Sequence, residues 1–475
     1  MDINIKNSLL LICLYLAALP VYAQKFYLSE PFRSKMNDDI ELVGQQNGFV
    51  FFTQESDHDF RILRLNAELH NNRTLILPLN ERKTKVRYTR IVDKMLTVVY
   101  SYRVKSELCI KIVRYDTDLN LRDSLTMACF GDAGYSPDIK AIPSEDKKTL
   151  VLYYIQATNY IQCYSFNLHT QKLNWAYRWD HTLEKTEYRY FEKILVDNGG
   201  NAVLIFNEPG TGKHDHNISC GYLTATGEVT RQFKNQPYNL YEADWLIDDK
   251  NQRLILAGMY SKDKSYRAEG VVYWSVRLPL DNDTPLLSTN PFNTARITGF
   301  ESERNNFENG IDGISVVEIL LKHEGGVVLI LEKRQQNERN TRGRLIESGN
   351  TIRNSTDYYY DDVYICSVNA NGTTDWLAPL AKKQFSQDDD ADFSSFLFMK
   401  GKDYLRLVFN DEILNDNTIS EYLIRPDGTF ARKNIPNKEL RKLKIMFRKG
   451  KQVSAGSGIV PCYVKNKLRY LKIEY

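Results

Sequence analysis

Short β-strand runs, a turn that recurs about every 50 residues and a last unit that is one strand short predict an all-β chain. Together they point to a β-propeller with seven or eight four-stranded blades, eight favoured, closed by the N-terminal strand.

The runs carry the first part of this reading. Residues 48–52, 95–100, 149–155, 202–206, 253–260, 326–331 and 404–409 are short, β-branched or aromatic, and bounded by polar turn residues, as buried strands are. Each precedes a second strand that ends in a turn. The middle residues of those turns are Asn66, Asp116, Asn167, Thr224, Arg277, Asn369 and Arg425, so successive spacings are 50, 51, 57, 53, 92 and 56 residues. Two long polar connections, 281–311 and 333–357, are expected to account for the one large gap. Residues 458–464 and 468–475 read as two strands of an eighth unit, which runs out of chain before its outermost strand. The segment Lys25, Phe26, Tyr27 and Leu28 is expected to supply it. A single four-stranded blade cannot cover both of its faces, so blades stack around an axis, and closing the ring leaves few open sheet edges.

The rest of the chain is consistent with one such domain. Its 475 residues would suggest about three domains on length alone, but all-β architectures often exceed that as one unit. Residues 1–23 read as a signal peptide and 24–475 as a single β-propeller domain. Lys6 precedes an apolar run over 9–21, and Val21, Tyr22 and Ala23 then form a cleavage site before Gln24. The run is shorter than the roughly 20 residues that span a bilayer. Cys13 is rejected as a lipid-attachment site, because Ile12 is bulky where a small residue is wanted and apolar sequence would remain at the mature end. No later stretch is apolar enough for a membrane helix. The mature chain is therefore expected outside the cytosol, in the periplasm or at the cell surface. With 63 basic and 60 acidic residues the net charge is only +3, which argues against nucleic acid, whose phosphates want a concentrated basic face.

Few local motifs suggest chemistry. The stretch from Glu208 to Lys213 looks like a phosphate loop but has Asn207 and His214 where that loop needs Gly and Ser or Thr. His214 and His216 would point to one side of an extended segment, yet a stable transition-metal site needs three or four ligands, so a solvated loop is expected. Asp388, Asp390 and Asp392 match the first ligand positions of a calcium loop, but Phe393 and Met399 stand where Gly and Glu are required. That leaves a looser calcium site at a blade edge as a weak metal candidate and a charged surface connection as the default; no cofactor is expected. Asp361 and Asp362 are adjacent, and neighbouring strand residues face opposite ways, unlike the paired carboxylates of glycosidases at about 5 to 10 Å across a cleft.

Six cysteines lie beyond residue 23. Cys163, Cys220 and Cys366 lie on equivalent strands of different blades and are expected to be buried thiols acting as small apolar residues. Cys109 and Cys129 flank the turn around Leu119, which is their midpoint. A regular hairpin would place them opposite each other, about 4.5 to 5.5 Å apart at Cα. They are the one candidate for an intrachain disulfide, the alternative being two reduced, buried cysteines.

The repeated strand-turn-strand units, such as residues 363–372, resemble those of secreted bacterial β-propeller proteins of unknown function. So does the segment from Trp376 to Phe396, where Lys382, Lys383 and Gln384 precede an acidic cluster and then Ser394, Ser395 and Phe396. The resemblance is architectural and implies no catalytic residues. Two function classes remain. The first is a non-catalytic binding or scaffold protein that meets a protein or glycan partner on the loop-bearing face. The second is a carbohydrate-active propeller enzyme, a hydrolase or lyase, with acids recruited from several blades. A cluster of acids or histidines at the axis would favour the second.

Overall fold

The alternation of apolar and polar residues becomes eight antiparallel blades, and in the first seven the strands of the blade pair in chain order. The computed structural model describes residues 24–475 apart from 33–38, 57–58, 132–136, 157–159, 180–189, 210–215, 237–238, 262–266, 281–283, 299–309, 345–349 and 414–417. The expected signal peptide, with Cys13, lies outside the described residues, as do His214 and Asp215. Blade 1 spans residues 39–76, blade 2 82–130, blade 3 140–179, blade 4 191–236, blade 5 239–291, blade 6 314–380 and blade 7 396–435. Blade 8 takes residues 444–474 together with the N-terminal strand Lys25–Leu28. The fold is an eight-bladed β-propeller.

Closure is direct. Lys25 pairs with Glu474 and Leu28 with Leu471 on the last strand of the chain. The next residues continue the clasp, since the Ser29 amide donates to the Tyr470 carbonyl at 2.9 Å and Phe32 packs edge-on against Phe52 and Tyr470. The innermost position of blade 8 is shared by two short strands, Lys444–Ile445 and Lys451–Ser454, which both pair with Ser457–Val464.

The core is a ring of eight seams rather than one centre. Each hydrophobic cluster joins the facing sheets of two adjacent blades, from blades 1 and 2 around to blades 8 and 1. The period-2 pattern of the second strands explains this. In blade 4, Val203 and Ile205 pack toward blade 5 while Ala202, Leu204 and Phe206 pack toward blade 3, so the strand is apolar throughout because both of its faces are covered. The seams are tight enough to select residues. A Cβ on Gly221 would lie 2.3 Å from the Trp179 ring.

All seven turns picked out by their spacing link the third and fourth strands of blades 1 to 7. Their polar residues cap the chain reversal: Asn66 Oδ1 accepts the amides of Glu68 and His70, and Asp116 Oδ1 those of Asp118 and Asn120. This is the Asx-turn chemistry that makes Asn and Asp turn residues.

The two long connections need correction. Residues 286–291 are the fourth strand of blade 5, so the connection to blade 6 begins only after Pro291. Residues 333–357 are largely β-structure. Strands Val327–Arg344 and Asn350–Val368 of blade 6 run on past their blade as a projecting hairpin of 18 and 19 residues, whereas Phe49–Glu55 in blade 1 has 7 and Met95–Val104 in blade 2 has 10. Pairing within the hairpin satisfies its backbone, and at its base Gln384–Gln387 adds a further strand beside Asp357–Tyr360.

Candidate functional site

In an antiparallel four-stranded blade, the link between strands two and three emerges at the same end as the link to the next blade. The blade 6 hairpin and the connections over 292–313, 381–395 and 436–443 therefore share one loop-bearing face. Two regions gather charged side chains: the axis and this face at blades 6 to 8.

At the axis, the first strands of neighbouring blades touch one another. In blades 1, 2, 4, 5 and 6 this strand carries a one-residue irregularity, which adds Val43, Arg87, Glu192, Tyr241 and Val317 to the ladder. Such bulges re-aim side chains. Most charges here have partners across a seam. Glu41 of blade 1 meets Arg90 of blade 2 at 3.0 Å and Lys451 of blade 8 at 2.9 Å. Burial alone would raise the Glu41 carboxyl, but the bonds and charges of Lys451 and Arg90 hold it below the ordinary carboxylate range. Lys193 meets Asp244 at 2.5 Å, Trp245 Nε1 donates to Glu192 at 2.9 Å, and Arg87 donates to the Ile139 carbonyl at 3.1 Å. Glu242, Asp244 and Glu318 line a cavity of about 290 Å³ between blades 5 and 6. Burial raises the carboxyls of Glu192, Glu242 and Glu318.

On the loop-bearing face, the base of the blade 6 hairpin rests on a buried polar cluster. Glu332 on the second strand is fully buried and lies 2.9 Å from Lys382 Nζ. Lys382 also donates to the Tyr360 carbonyl and to Gln384 Oε1, each at 2.7 Å. Ser395 Oγ donates to the other Glu332 oxygen at 2.7 Å, and Arg334 Nε approaches that oxygen at 2.9 Å. Burial pushes the Lys382 ammonium below the ordinary lysine range, and Glu332 opposes that shift. Two hydrogen bonds and the ion pair surround the lysine ammonium, so this group ties the hairpin base to the 381–395 connection.

Beside the cluster, between blades 7 and 8, is a cavity of about 270 Å³. Ser386, Asp389 and Phe393 line it from the 381–395 connection, Asn410 and Ile413 from blade 7, and Arg441, Lys442 and Lys444 from the connection into blade 8. Asp389 Oδ1 accepts from Ser386 Oγ at 2.8 Å and from the Ala391 amide at 3.0 Å. Burial raises its carboxyl despite those two bonds.

The structure separates the residues singled out in the sequence. Asp388 accepts the Thr356 amide at 2.7 Å, Asp390 accepts the Tyr358 hydroxyl at 3.3 Å, and Asp392 pairs with Lys449 at 2.7 Å. The three carboxylates engage three different partners and are not brought together as ligands; among the described residues, the only group of metal-ligand type is Glu107 with Cys109 and Cys129. Those two sulfurs are bonded to each other, with Cα atoms 4.0 Å apart. Their pairing does not come from a regular ladder. Tyr115 opposes Leu121, and two one-residue irregularities between there and Cys109 restore both side chains to one face, since each slip reverses the face. Cys163, Cys220, Cys366 and Cys462 are buried free thiols, and burial pushes Cys366 up to about 12. Asp361 and Asp362 sit at an irregularity of the ladder where the hairpin leaves the blade, and Asp362 accepts the Lys382 amide at 3.2 Å.

Sequence reasoning missed Glu332, Asn410 and the lysines ahead of blade 8. A signal was present for the last of these, because Lys438, Arg441, Lys442 and Lys444 crowd a seven-residue stretch. Nothing local marks Glu332, whose partner is 50 residues away in the chain.

No protein-family model matches the chain, and no curated protein matches it either. Among solved structures, it is similar to a prolyl endopeptidase at 10% identity and a TM-score of 0.41, over 90% of this chain and 55% of that one. It thus spans about half the length of that enzyme. The β-propeller domain of the Trilobed protease from Pyrococcus furiosus is similar at 11% identity and a TM-score of 0.39, over 87% of this chain and 98% of that domain. An oligogalacturonate lyase in complex with manganese is similar at 9% identity and a TM-score of 0.37, over 91% of this chain and 98% of the lyase. No residue role is carried over from any of them.

Proposed function

We propose that the protein is a non-catalytic binding or scaffold propeller that works outside the cytosol after removal of residues 1–23, and that it meets a protein or glycan partner on its loop-bearing face. The observation that carries this reading is the hairpin of blade 6. It is the largest departure from blade regularity among the described residues, and a buried ion pair holds its base in place. A rigidly based projection ordered on one face is what a recognition surface needs. No helix among the described residues is long and apolar enough to cross a membrane, and N-terminal sequencing that finds Gln24 first would support export.

The enzyme reading rests on a different observation, that acids from blades 4, 5 and 6 gather at the axis. One experiment separates the two. The purified chain is incubated with a panel of polysaccharides and oligosaccharides, and products are followed by mass spectrometry alongside binding. Binding without turnover supports the proposal. Turnover that is abolished by Glu318→Gln replaces it with an axial hydrolase or lyase.

A further inference from the structure

We infer that the cavity between blades 7 and 8 is a subsite for an acidic saccharide, a sugar unit bearing both hydroxyls and a carboxylate; this deepens the binding function proposed above and rests on it. Three observations converge. The first is charge. Arg441, Lys442 and Lys444 stand exposed around the cavity. Among the described residues none of the three has a hydrogen-bond or ion-pair partner, and the nearest aromatic contact is Lys444 Nζ at 5.9 Å from the Phe393 ring centre. Against these three cations the lining holds one carboxylate among the described residues, Asp389. Of the neighbouring acids, Asp392 is paired with Lys449, while Asp390 accepts the neutral Tyr358 hydroxyl. Three cations against one carboxylate in the described lining favour an anion.

The second is an acceptor left over in the wall. Asn410 is 1% exposed, and its Nδ2 donates to the Phe393 and Ile445 carbonyls at 2.8 Å each. Those two bonds fix the amide, and its Oδ1 has no hydrogen-bond partner among the described residues. A buried acceptor without a donor is costly, on the order of 1–3 kcal/mol, and a hydroxyl offers the donor it lacks. Asp389 adds a second acceptor beside it. An inorganic anion without hydroxyls would use the cations and leave both acceptors unmatched, and phosphate has no C–H face for Phe393. A uronate unit matches cations with its carboxylate and acceptors with its hydroxyls.

The third is shape. Phe393 and Ile413 are half-buried in the lining, backed by the core residues Leu443 and Ile445, and offer a surface that suits the C–H face of a sugar ring. At about 270 Å³ the cavity lies near the lower end of small-ligand sites, which run from roughly 300 Å³ upward. It thus suits one or two rings of a chain that continues across the open face.

The test is calorimetric titration of the 24–475 chain with uronate trisaccharides of glucose, galactose and mannose configuration. The matching neutral trisaccharides and inorganic phosphate serve as controls. At least one uronate is expected to bind with a dissociation constant below about 1 mM, at least about tenfold more tightly than its neutral counterpart. The double variant Lys442→Glu, Lys444→Glu should weaken that binding about tenfold or more. The pair is exposed, and its circular dichroism and melting transition show directly that the fold is retained. Absence of binding by all three uronates overturns the inference. So does phosphate binding as tightly as the best uronate, or uronate binding that the double variant leaves unchanged. A neutral trisaccharide that binds best, and loses affinity in Phe393→Ala, overturns the acidic class while leaving a glycan-binding propeller standing. Failure of every saccharide, together with capture of an envelope protein by the hairpin face, overturns the subsite while leaving the protein-partner form of the proposed function standing.

Discussion

The axis and the loop-bearing face both concentrate charge, yet they treat it differently. At the axis, Glu41, Arg90 and Lys451 join three blades around the closure, and Lys193 and Asp244 join two more. Around the cavity of blades 7 and 8, three cations stand without partners among the described residues. Charges that answer one another across a seam hold a ring together; charges left unanswered around a concave, partly apolar surface are held in place for something else. The contrast is sharper for being local, because Glu332 and Lys382, on the same face, are buried and paired with each other.

The largest effect should come from that buried pair. Lys382→Met strands the Glu332 charge and is expected to cost about 3–5 kcal/mol in urea unfolding, most of it recovered when Glu332→Leu is added. If Lys382→Met melts like the parent chain, the hairpin base does not depend on the pair and the contrast fails.

The covalent link in blade 2 comes next. A loop with a sequence separation of 20 is worth about 3 kcal/mol in the chain-entropy view, so Cys129→Ser should lose roughly that amount. Alkylation in denaturant without reduction should modify Cys163, Cys220, Cys366 and Cys462 but not Cys109 or Cys129; modification of all six removes the disulfide.

The third expectation concerns pH at the opposite face. Asp249, in the turn between the first two strands of blade 5, accepts the Asn198 amide of blade 4 at 2.7 Å. Burial, then the nearby Asp197, Glu145 and Asp146, raise its carboxyl to about 6. A raised carboxyl favours the folded state in full below its ordinary value of 3.8, and that contribution is lost as pH rises through about 6. Asp249→Asn keeps the acceptor and removes the charge. It should therefore stabilise the chain at pH 7 by about 1 kcal/mol, after allowing for solvent screening of a half-buried group, and do nothing at pH 3. An equal gain at both values would assign the effect to packing.

The smallest effects test the contrast itself. Glu41→Ala should cost about 0.2–1 kcal/mol, less at high salt, because the group is 44% exposed and its pairs are screened. Lys442→Glu with Lys444→Glu should change stability by no more than about 0.5 kcal/mol. A larger loss would mean that the rim cations serve the fold after all.

Much of the architecture is legible in the chain, for a reason that particular residues show. Strand runs such as residues 202–206 and capping turns such as Asn66 and Asp116 are specified by neighbours a few positions away, so their period can be read directly and eight units counted. The closing strand is legible too, because the last unit lacks one strand and Lys25–Leu28 has the pattern to complete it. The blade 6 hairpin reads as loop because its composition is polar, and polar composition by itself does not separate a paired ribbon from an irregular connection.

The sequence by itself thus determined most of the strands, their repetition and the closure, but not the strands within 281–311 and 333–357. Only the tertiary structure decided which side chains meet. Glu332 and Lys382 are 50 positions apart, Glu41 and Lys451 are 410 apart, and the cavity of blades 7 and 8 draws its lining from three separate stretches between Ser386 and Ile445. Such contacts arise where blades stack and the ring shuts, at distances along the chain over which no local preference operates. The physical reason is that a propeller's seams and faces belong to pairs of blades, while propensity and periodicity belong to one strand at a time.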